Sequence, residues 1–393
     1  MNVDVTIIGA GLVGCTLACL LSNQGLKVGV VDRNNPLKVR KESALEGRTV
    51  ALNLSSVGIF QELGLWSNIY HSTTNFNRIY VWDSTGSSPL EFLSEHVNEE
   101  NLGYVVSNNL VLSFLSKYIY KSKGIELYLD SEISSLKIDD TKTSIILSDG
   151  KEVTSALIVG ADGANSFIRN KTNIETRTWS YDQKAFVASL KTKKPHLNTA
   201  WQVFTSTGPI ALLPYDKAGK ANVSLVWSAD NKYAEKIDKF TKKDFSRELE
   251  EKTESTLGEI EIIGDIYSFP LYQLHSKTYF SNRAVLVGDA AHSFHPLAGQ
   301  GLNSGLSDVS CLFKLIAGYR RKAKDIGSKE ILRDYEKQRK APNLAMVALM
   351  ELFKQGFEGS NPWLKLTRNM AFKVASENKM LKRNLIKQAA GIT

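Results

Sequence analysis

The opening of the chain has the hydrophobic pattern of a strand, a helix and a second strand. Residues 3–8 are an apolar run rich in β-branched side chains, and residues 15–21 carry apolar side chains at helical spacing. A second apolar run follows over residues 28–32. The pattern therefore predicts a βαβ unit at the start of the chain.

Further along, the pattern indicates two kinds of structure. Residues 156–160 and 280–287 are predicted to be strands, and residues 302–316 a helix. Between residues 185 and 269 apolar and polar positions alternate, as is typical of antiparallel strands, and from Lys329 onward the pattern is helical. The predicted fold is α/β, with a discontinuous Rossmann-like domain, an antiparallel-sheet substrate domain and a C-terminal helical region. The predicted bounds are 1–77, 100–172 and 275–330 for the first domain, 78–99 and 173–274 for the second, and 331–393 for the helical region.

Three glycines and one acid indicate a dinucleotide site in the βαβ unit. Gly9 permits the tight turn after the first strand, Gly11 lets backbone amides approach a pyrophosphate, and Gly14 allows the helix to pack closely on the strand. Asp32 ends the second strand, where it is expected to accept a hydrogen bond from a ribose hydroxyl. The alternative, an ordinary glycine-rich turn, leaves Asp32 and the glycine spacing without an explanation.

A second set of residues, far along the chain, decides which dinucleotide is expected. Asp289 follows a predicted strand, where open α/β sheets place their ligands, and one carboxylate there suits a polyol chain. Gly299, Gly301 and Asn303 begin a helix whose backbone amides can hold the anionic end of a reduced isoalloxazine ring. Because FAD has a ribityl chain and NAD has none, the sequence favours FAD as the tightly bound cofactor. A helix cap at Asp289 and a turn at Pro296 are the structural alternatives.

A third segment, Gly-Ala-Asp-Gly over residues 160–163 with Ser166 and Arg169, follows another predicted strand. Together with the two motifs above, it resembles the single-component FAD-dependent aromatic monooxygenases, the group of para-hydroxybenzoate hydroxylase. A narrower resemblance, to the ubiquinone-biosynthesis hydroxylases of the UbiH/UbiF/VisC type, covers nearly the whole chain. It is carried by residues 47–52, 102–106, 181–183, 209–214, 226–228, 292–303, 382–383 and 388–391.

The resemblance implies a role for each motif residue. It places Gly9, Gly11, Gly14 and Asp32 at the adenosine diphosphate half of FAD, and Arg48 near the flavin or pyrophosphate. Asp289 is placed at the ribityl chain, and Asp162 and Arg169 at FAD and the transient nicotinamide donor. The residues placed around the ring are Pro296, Gly299, Gly301, Leu302 and Asn303. The chain departs from the family at Ser107, which precedes Asn108 where relatives usually have a Glu-Asn pair. This departure weakens any acid role at that position.

The resemblance also implies a two-stage reaction on an aromatic ring. NAD(P)H, a transient co-substrate, reduces the flavin, and dioxygen then forms a flavin hydroperoxide that transfers its distal oxygen to an electron-rich phenol. The expected substrate is a polyprenylated phenol or benzoquinol intermediate of ubiquinone biosynthesis. His295 and Pro296 are the candidate catalytic residues, and no base is identified. The alternatives are a catabolic hydroxylase of a small soluble aromatic, a flavin reductase of isoprenoid chains, and a non-catalytic flavoprotein scaffold of a ubiquinone-biosynthesis complex.

Composition agrees with an ordinary globular protein. The chain has 393 residues, 42% of them hydrophobic and 23% charged, which suits two or three domains with a substantial core and excludes a disordered chain. Cys15, Cys19 and Cys311 show no metal-like spacing, and the first two are expected to be buried thiols. His292 and His295 lack a third ligand nearby in sequence, so no metal site is expected.

The net charge of +8 is unevenly distributed, because the end of the chain is basic. Past Asn361 the acidic residue is Glu377, and the basic residues are Lys365, Arg368, Lys373, Lys379, Lys382, Arg383 and Lys387. Apolar side chains interleave with them, which suits an anionic membrane surface. A helix pair packed on the protein with a solvated basic face explains the pattern equally well.

Two classes of partner and location are not expected. Nucleic-acid binding is ranked last, because no stacking-aromatic platform or reading motif accompanies the basic residues. No stretch approaches the roughly 18 uncharged apolar residues of a membrane-spanning helix. A cytoplasmic protein is therefore expected, with peripheral docking at the inner membrane face as an addition.

Overall fold

The computed structural model describes residues 1–38, 49–84, 89–216, 221–293, 300–357 and 378–392. In chain order the strands are β1 (Val5–Ile8), β2 (Val28–Val31), β3 (Thr49–Asn53), β4 (Thr74–Phe76), β5 (Arg78–Asp83), β6 (Leu90–Leu93), β7 (Gly103–Ser107), β8 (Ile125–Tyr128), β9 (Ile133–Ile138), β10 (Thr143–Leu147), β11 (Glu152–Ser155), β12 (Leu157–Gly160), β13 (Thr176–Thr192), β14 (Thr199–Thr205), β15 (Gly208–Pro214), β16 (Asn222–Asp230), β17 (Ile260–Ser276), β18 (Phe280–Ser281), β19 (Ala284–Leu286) and β20 (His292–Ser293). The helices are α1 (Leu12–Asn23), α2 (Leu54–Glu62), α3 (Trp66–Tyr70), α4 (Asn108–Lys121), α5 (Phe167–Lys171), α6 (Asn231–Ile237), α7 (Lys242–Lys252), α8 (Gln300–Arg321), α9 (Lys329–Phe357) and α10 (Lys379–Ala390), with single 3₁₀ turns at Ser94–Val97 and Gly288–Ala290.

A six-stranded sheet carries the nucleotide-binding motifs. Its order is β18-β19-β12-β1-β2-β8, and all neighbours are parallel except the pair β18 and β19. β1 and β2 are completely buried, which explains why they are short, continuous apolar runs. The predicted βαβ unit is confirmed as β1, α1 and β2.

The predicted strand over residues 280–287 is wrong in one respect. The structure divides it into the antiparallel pair β18 and β19, joined by a turn at Asn282 and Arg283. Arg283 has a left-handed backbone, with φ of 46°, which ends the first extended segment. The second segment, β19, runs parallel to β12, so its carboxyl end lies at the ligand edge of the sheet.

An eight-stranded sheet, with the order β20-β17-β13-β16-β15-β14-β5-β6, forms the second layer. Its neighbours are antiparallel except for β14 and β5, which are parallel. Along β15, Ile210 and Leu212 are buried in a core that also contains side chains of α6 and α7. Ala211 and Leu213 point to the opposite face. The alternation seen in the sequence thus gives this sheet one face for a core and another for a cleft.

The chain passes repeatedly between the two sheets. β5 and β6 of the eight-stranded sheet precede β8 and β12 of the six-stranded sheet in sequence, and β13 to β17 follow them. The chain then returns to β19 of the six-stranded sheet before α8 begins. The antiparallel three-stranded sheet β3-β7-β4 contributes Ala51, Phe76 and Val105 to one apolar cluster with Ala200 of the eight-stranded sheet.

Two cysteines of α1 can be compared with the structure. Cys15 and Cys19 are fully buried, as predicted, and burial raises the pKa of both thiols well above the usual range. Cys15 donates a hydrogen bond to the Ala10 carbonyl at 3.1 Å. Among the described helices none is long and apolar enough to cross a membrane.

Candidate functional site

Two glycines allow the motif after β1 to pack closely on its neighbours. Gly9 has a left-handed backbone, with φ of 109°, and a Cβ added there would overlap the carbonyl oxygen of Ala161. A Cβ added at Gly14 would overlap the carbonyl oxygen of Gly9. Glycine is therefore required at these two positions, because only glycine lets α1 and the segment after β12 lie this close to the turn that follows β1.

Gly11 differs from these two glycines, because no protein atom fills the space beside it. Its backbone is extended, with φ of −74°, and an added Cβ would meet no protein atom within 4 Å. Gly11 caps α1 without a side-chain hydrogen bond and lines a cleft together with Leu12 and Val13. Space in front of unpaired amides at a helix N-terminus suits a pyrophosphate.

Asp32 holds the turn that follows β1. Its Oδ2 accepts from the Ala10 amide at 2.8 Å, and its Oδ1 accepts from the Asn34 amide at 2.9 Å. Each carboxylate oxygen has a second lone pair, so a ribose hydroxyl can donate to the same group. The geometry allows the predicted role while giving Asp32 a structural task as well.

Asp289, which the sequence predicts to contact a ribityl chain, lies at the carboxyl end of β19 and lines the cleft. It follows β19 within the 3₁₀ turn Gly288–Ala290, its side chain is exposed to the cleft, and it makes no hydrogen bond with the described residues. Desolvation by the surrounding protein raises the pKa of its carboxyl, which His292 partly opposes. An acceptor held at the cleft wall in this way is suited to hydroxyl donors.

Asp162 and Arg169 do not line the cleft; they stabilise the segments that surround it. Asp162 Oδ2 accepts from the Phe167 amide at 2.6 Å, at the start of α5. Arg169 is buried, and its guanidinium donates to the carbonyl oxygens of Ala290 at 3.0 Å and Ala164 at 2.6 Å. Arg169 therefore ties α5 to the residue next to Asp289. In the same segment it is Ala161 and Gly163 that line the cleft.

The start of α8 divides its residues between the cleft and the interior. Gly301 and Leu302 line the cleft. Asn303 is buried, and its side chain accepts from the Ser56 hydroxyl at 2.8 Å and donates to the Ala51 carbonyl at 2.8 Å. Asn303 thus joins α8 to β3 and α2, and it is not among the residues that line the cleft.

Four predicted site residues lie outside the described part of the chain. They are Arg48, His295, Pro296 and Gly299. Residues 358–377 of the basic C-terminal segment also lie outside it. Within the described residues, no group of three His, Cys, Asp or Glu side chains has the arrangement of a metal site.

The opposite wall of the cleft is a face of the eight-stranded sheet. The strand register aligns side chains in two neighbouring rows across the sheet. One row comprises Val187, Val226, Ala211 and Gln202, and the next comprises Ser189, Ser224, Leu213, Ala200 and Ile79; all of them line the cleft. The two rows give an apolar surface with a few polar groups.

Sequence reasoning missed the polar residues of this wall. The Gln202 side chain lies among apolar neighbours and makes no hydrogen bond with the described residues. Ser224 is bonded at 2.6 Å to Thr49 of β3, so a hydrogen bond between hydroxyls links the two walls. The alternation that predicted the strands indicates which side chains of one strand share a face of the sheet. It does not predict the parallel pairing of β14 with β5, which places Ile79 beside Ala200 and Gln202 on the face toward the cleft.

The cleft joins all of these groups in one space. Its volume is about 700 Å³, and Gly11, Asp289, Leu302 and the two side-chain rows all line it. An unfilled position in front of Gly11, an acceptor at Asp289 and the start of α8 match the pyrophosphate, the ribityl chain and the ring of FAD. The residues present therefore fit this cofactor.

Comparisons with known proteins agree with the geometry. The family model described as FAD binding domain matches residues 2–349. Ubiquinone hydroxylase UbiL of Rhodospirillum rubrum is 32% identical over 389 residues, covering 99% of this chain and 89% of that protein. The 3-demethoxyubiquinol 3-hydroxylase of Escherichia coli is 29% identical over 391 residues, covering 99% of this chain and 98% of that protein.

The fold also matches a solved structure, p-nitrophenol 4-monooxygenase PnpA from Pseudomonas putida, with a TM-score of 0.79 at 15% identity, covering 99% of this chain and 98% of that one. This likeness shows the fold. The resemblance inferred from the sequence motifs and the expected FAD cofactor are both confirmed by the family match. The chain belongs to the FAD binding domain family of FAD-dependent monooxygenases.

Proposed function

We propose that this protein hydroxylates the aromatic ring of a polyprenylated phenol or benzoquinol intermediate in ubiquinone biosynthesis, using FAD, NAD(P)H and dioxygen. The observation that carries the proposal is the single continuous cleft between the cofactor elements and the apolar sheet face. The names of the relatives that share almost the whole length of the chain support this reaction class.

The proposed cofactor contacts follow from the geometry of the cleft. Gly11 and the first amides of α1 would hold the pyrophosphate, Asp32 the adenine-side ribose and Asp289 the ribityl hydroxyls. Gly301 and Leu302 would border the ring at the start of α8. When bound, FAD supplies the redox and oxygen chemistry that amino-acid side chains lack.

The protein's part in the reaction is to orient the substrate and exclude water. Val187, Val226, Ala211 and Leu213 present a largely apolar surface to a ring held over the cofactor. The Gln202 amide is the polar group of this wall that we assign to a substrate oxygen, because it faces the cleft and makes no bond with the described residues. No described residue is assigned as a base.

Several finer points stay predictions. No second complete glycine fingerprint accompanies the first, which supports transient binding of NAD(P)H rather than a dedicated domain. In the C-terminal segment, α10 packs Ile386 and Ala390 on the protein body while Arg383 is exposed. Docking on an anionic membrane surface would therefore use the exposed basic side of this segment.

Genetic complementation tests the proposed reaction. The gene is expressed in bacterial strains that each lack one hydroxylase of the quinone pathway, and the accumulated lipids are identified by mass. Rescue of one strain is expected, and it fixes the ring position. If the protein is well expressed and rescues none of them, the assignment to ubiquinone biosynthesis is wrong. NAD(P)H oxidation with release of hydrogen peroxide by the purified protein then distinguishes another hydroxylase from a scaffold.

Substitution of Gln202 tests the assigned substrate contact. Gln202→Leu is expected to raise KM about tenfold with FAD affinity unchanged, since one neutral hydrogen bond contributes up to about 1.5 kcal/mol. Steady-state kinetics with the accumulated lipid measures this change. Gln61→Leu, an equivalent substitution at an exposed position of α2, is the control. An unchanged KM in Gln202→Leu would remove Gln202 from the substrate site.

A further inference from the structure

A charged group lies fully buried behind the turn that presents Asp289. Asp308, in the third turn of α8, has no exposed surface. Its Oδ2 accepts from the Gly288 amide at 3.0 Å and is 2.6 Å from His292 Nε2. Its Oδ1 accepts from Arg339 Nε at 2.6 Å. One carboxylate thus joins both ends of the segment 288–292 to α8 and α9.

A second set of contacts holds the partners of Asp308. Arg339 also donates to the Ser304 carbonyl at 3.4 Å and to Asn343 Oδ1 at 3.2 Å. The Asn343 amide donates to the Tyr279 hydroxyl at 3.2 Å, and Ser304 bonds to the same Asn343 oxygen at 2.9 Å. Each of these bonds restricts the carboxylate or its neighbours, so the position of Asp308 is determined from several directions.

The electrostatic balance at Asp308 favours the charged form. Burial alone would raise the pKa of its carboxyl, but His292 and Arg339 outweigh burial and hold that pKa below its usual range. Removing one member of a buried, paired charge leaves the others uncompensated. Neutralising Asp308 should therefore loosen the contacts on both sides of it.

The backbone contact gives Asp308 a route to the cofactor site. Gly288 has a left-handed backbone, with φ of 60°, and its amide immediately precedes the residue that faces the cleft. A Cβ added to Gly305 of α8 would lie 3.2 Å from Gly288 Cα and 3.0 Å from a methyl carbon of Val13. The turn is therefore packed against α8 and the first turn of α1, and the Asp308 carboxylate accepts a hydrogen bond from the first amide of the turn.

We propose that Asp308 is a positioning residue that sets the direction of Asp289 toward the ribityl chain by binding the Gly288 amide and His292. The proposal rests on the proposed contact between Asp289 and FAD. Since Asp308 does not line the cleft, it has no contact with a ligand there, and its substitution would act through the turn and through its charge on Asp289.

A double-mutant cycle on FAD binding to the apoprotein tests this route. Asp289→Asn is expected to weaken FAD binding roughly 10- to 100-fold, as expected for loss of a hydrogen bond to a charged group. Asp308→Asn is expected to weaken it about tenfold. If Asp308 acts through Asp289, the double variant should bind FAD within about twofold of Asp289→Asn alone, because the effects of coupled residues do not add. Flavin fluorescence quenching gives the dissociation constants.

Asp325→Asn is the matched control. Asp325, like Asp308, pairs with an arginine: its partner is the buried Arg283, at 2.5 Å, and the pair lies at the amino end of β19, where Asp325 is partly exposed and away from the cleft. The control variant is expected to lower the unfolding temperature of the apoprotein while leaving the FAD dissociation constant unchanged. A general loss of stability would affect Asp325→Asn and Asp308→Asn alike.

The outcomes separate the two proposals. If Asp289→Asn binds FAD normally, the proposed ribityl contact is wrong. If Asp289→Asn weakens binding but Asp308→Asn leaves it unchanged or adds to it fully, the positioning role of Asp308 is wrong. Should Asp308→Asn fail to fold, Arg339→Gln replaces it in the same cycle, because Arg339 holds the other carboxylate oxygen from a partly exposed position.

Discussion

Replacement of Gly9 by alanine is expected to lower the free energy of unfolding by about 4 kcal/mol, which combines backbone strain with overpacking. The added Cβ would occupy a left-handed backbone position and overlap the Ala161 carbonyl oxygen, so the segments after β1 and β12 would have to separate. Urea unfolding of the apoprotein measures the change. Stable FAD binding should be lost as well, since the same turn leads to Gly11.

Gly11→Ala is the companion variant that separates folding from cofactor binding. Its backbone is already one that alanine adopts, and the added Cβ meets no protein atom within 4 Å. The apoprotein should therefore unfold at the same urea concentration as the wild type, while FAD affinity falls. Normal FAD binding by Gly11→Ala would contradict the proposed position of the pyrophosphate.

Ala211→Trp is expected to reduce kcat/KM at least about 100-fold while FAD binding stays normal. Ala211 lies between Val226 and Gln202 in a row that faces the cleft, so an indole there would occupy the space assigned to the substrate ring. Displacing a reacting ring by as little as 1 Å can cost about 100-fold in rate. Product formation by mass, together with flavin content by absorbance, checks both parts of the prediction.

Ser206→Trp is the matched control for this variant. Ser206 is exposed at the turn between β14 and β15, so the same side chain is added to the same hairpin outside the cleft. Its kcat/KM should equal that of the wild type. If Ala211→Trp retains full activity, the substrate ring does not lie over this part of the sheet.

Local patterns predicted the nucleotide half of the fold well. β1, α1 and β2 were identified because buried parallel strands are continuous apolar runs and because glycines mark the turn between β1 and α1, where Gly9 and Gly14 have a steric reason. Asp289 was placed correctly at the cleft, because the carboxyl ends of parallel strands meet at one edge of a sheet.

Contacts between distant segments could not be predicted in the same way. Asp308, His292 and Arg339 lie in three separate elements, and each alone resembles an ordinary surface residue in sequence. Asn303 was expected at the ring because of its place in the motif. Its side chain is instead buried, and its oxygen accepts hydrogen bonds from the Asn53 amide and the Ser56 hydroxyl. Similarly, the hairpin within residues 280–287 depends on the unusual backbone of Arg283 rather than on hydrophobicity.

The repeated passage of the chain between its two sheets has a consequence for synthesis. β1 leaves the ribosome well before β12 and β19, yet its sheet requires both of them, and β19 ends at Leu286. Pairings of such long sequence separation form slowly, and until they form they leave unpaired strand edges exposed. A nascent chain that stopped short of Leu286 would expose β12 as such an edge and would be prone to aggregate, so neither sheet is a unit that can be excised and produced alone.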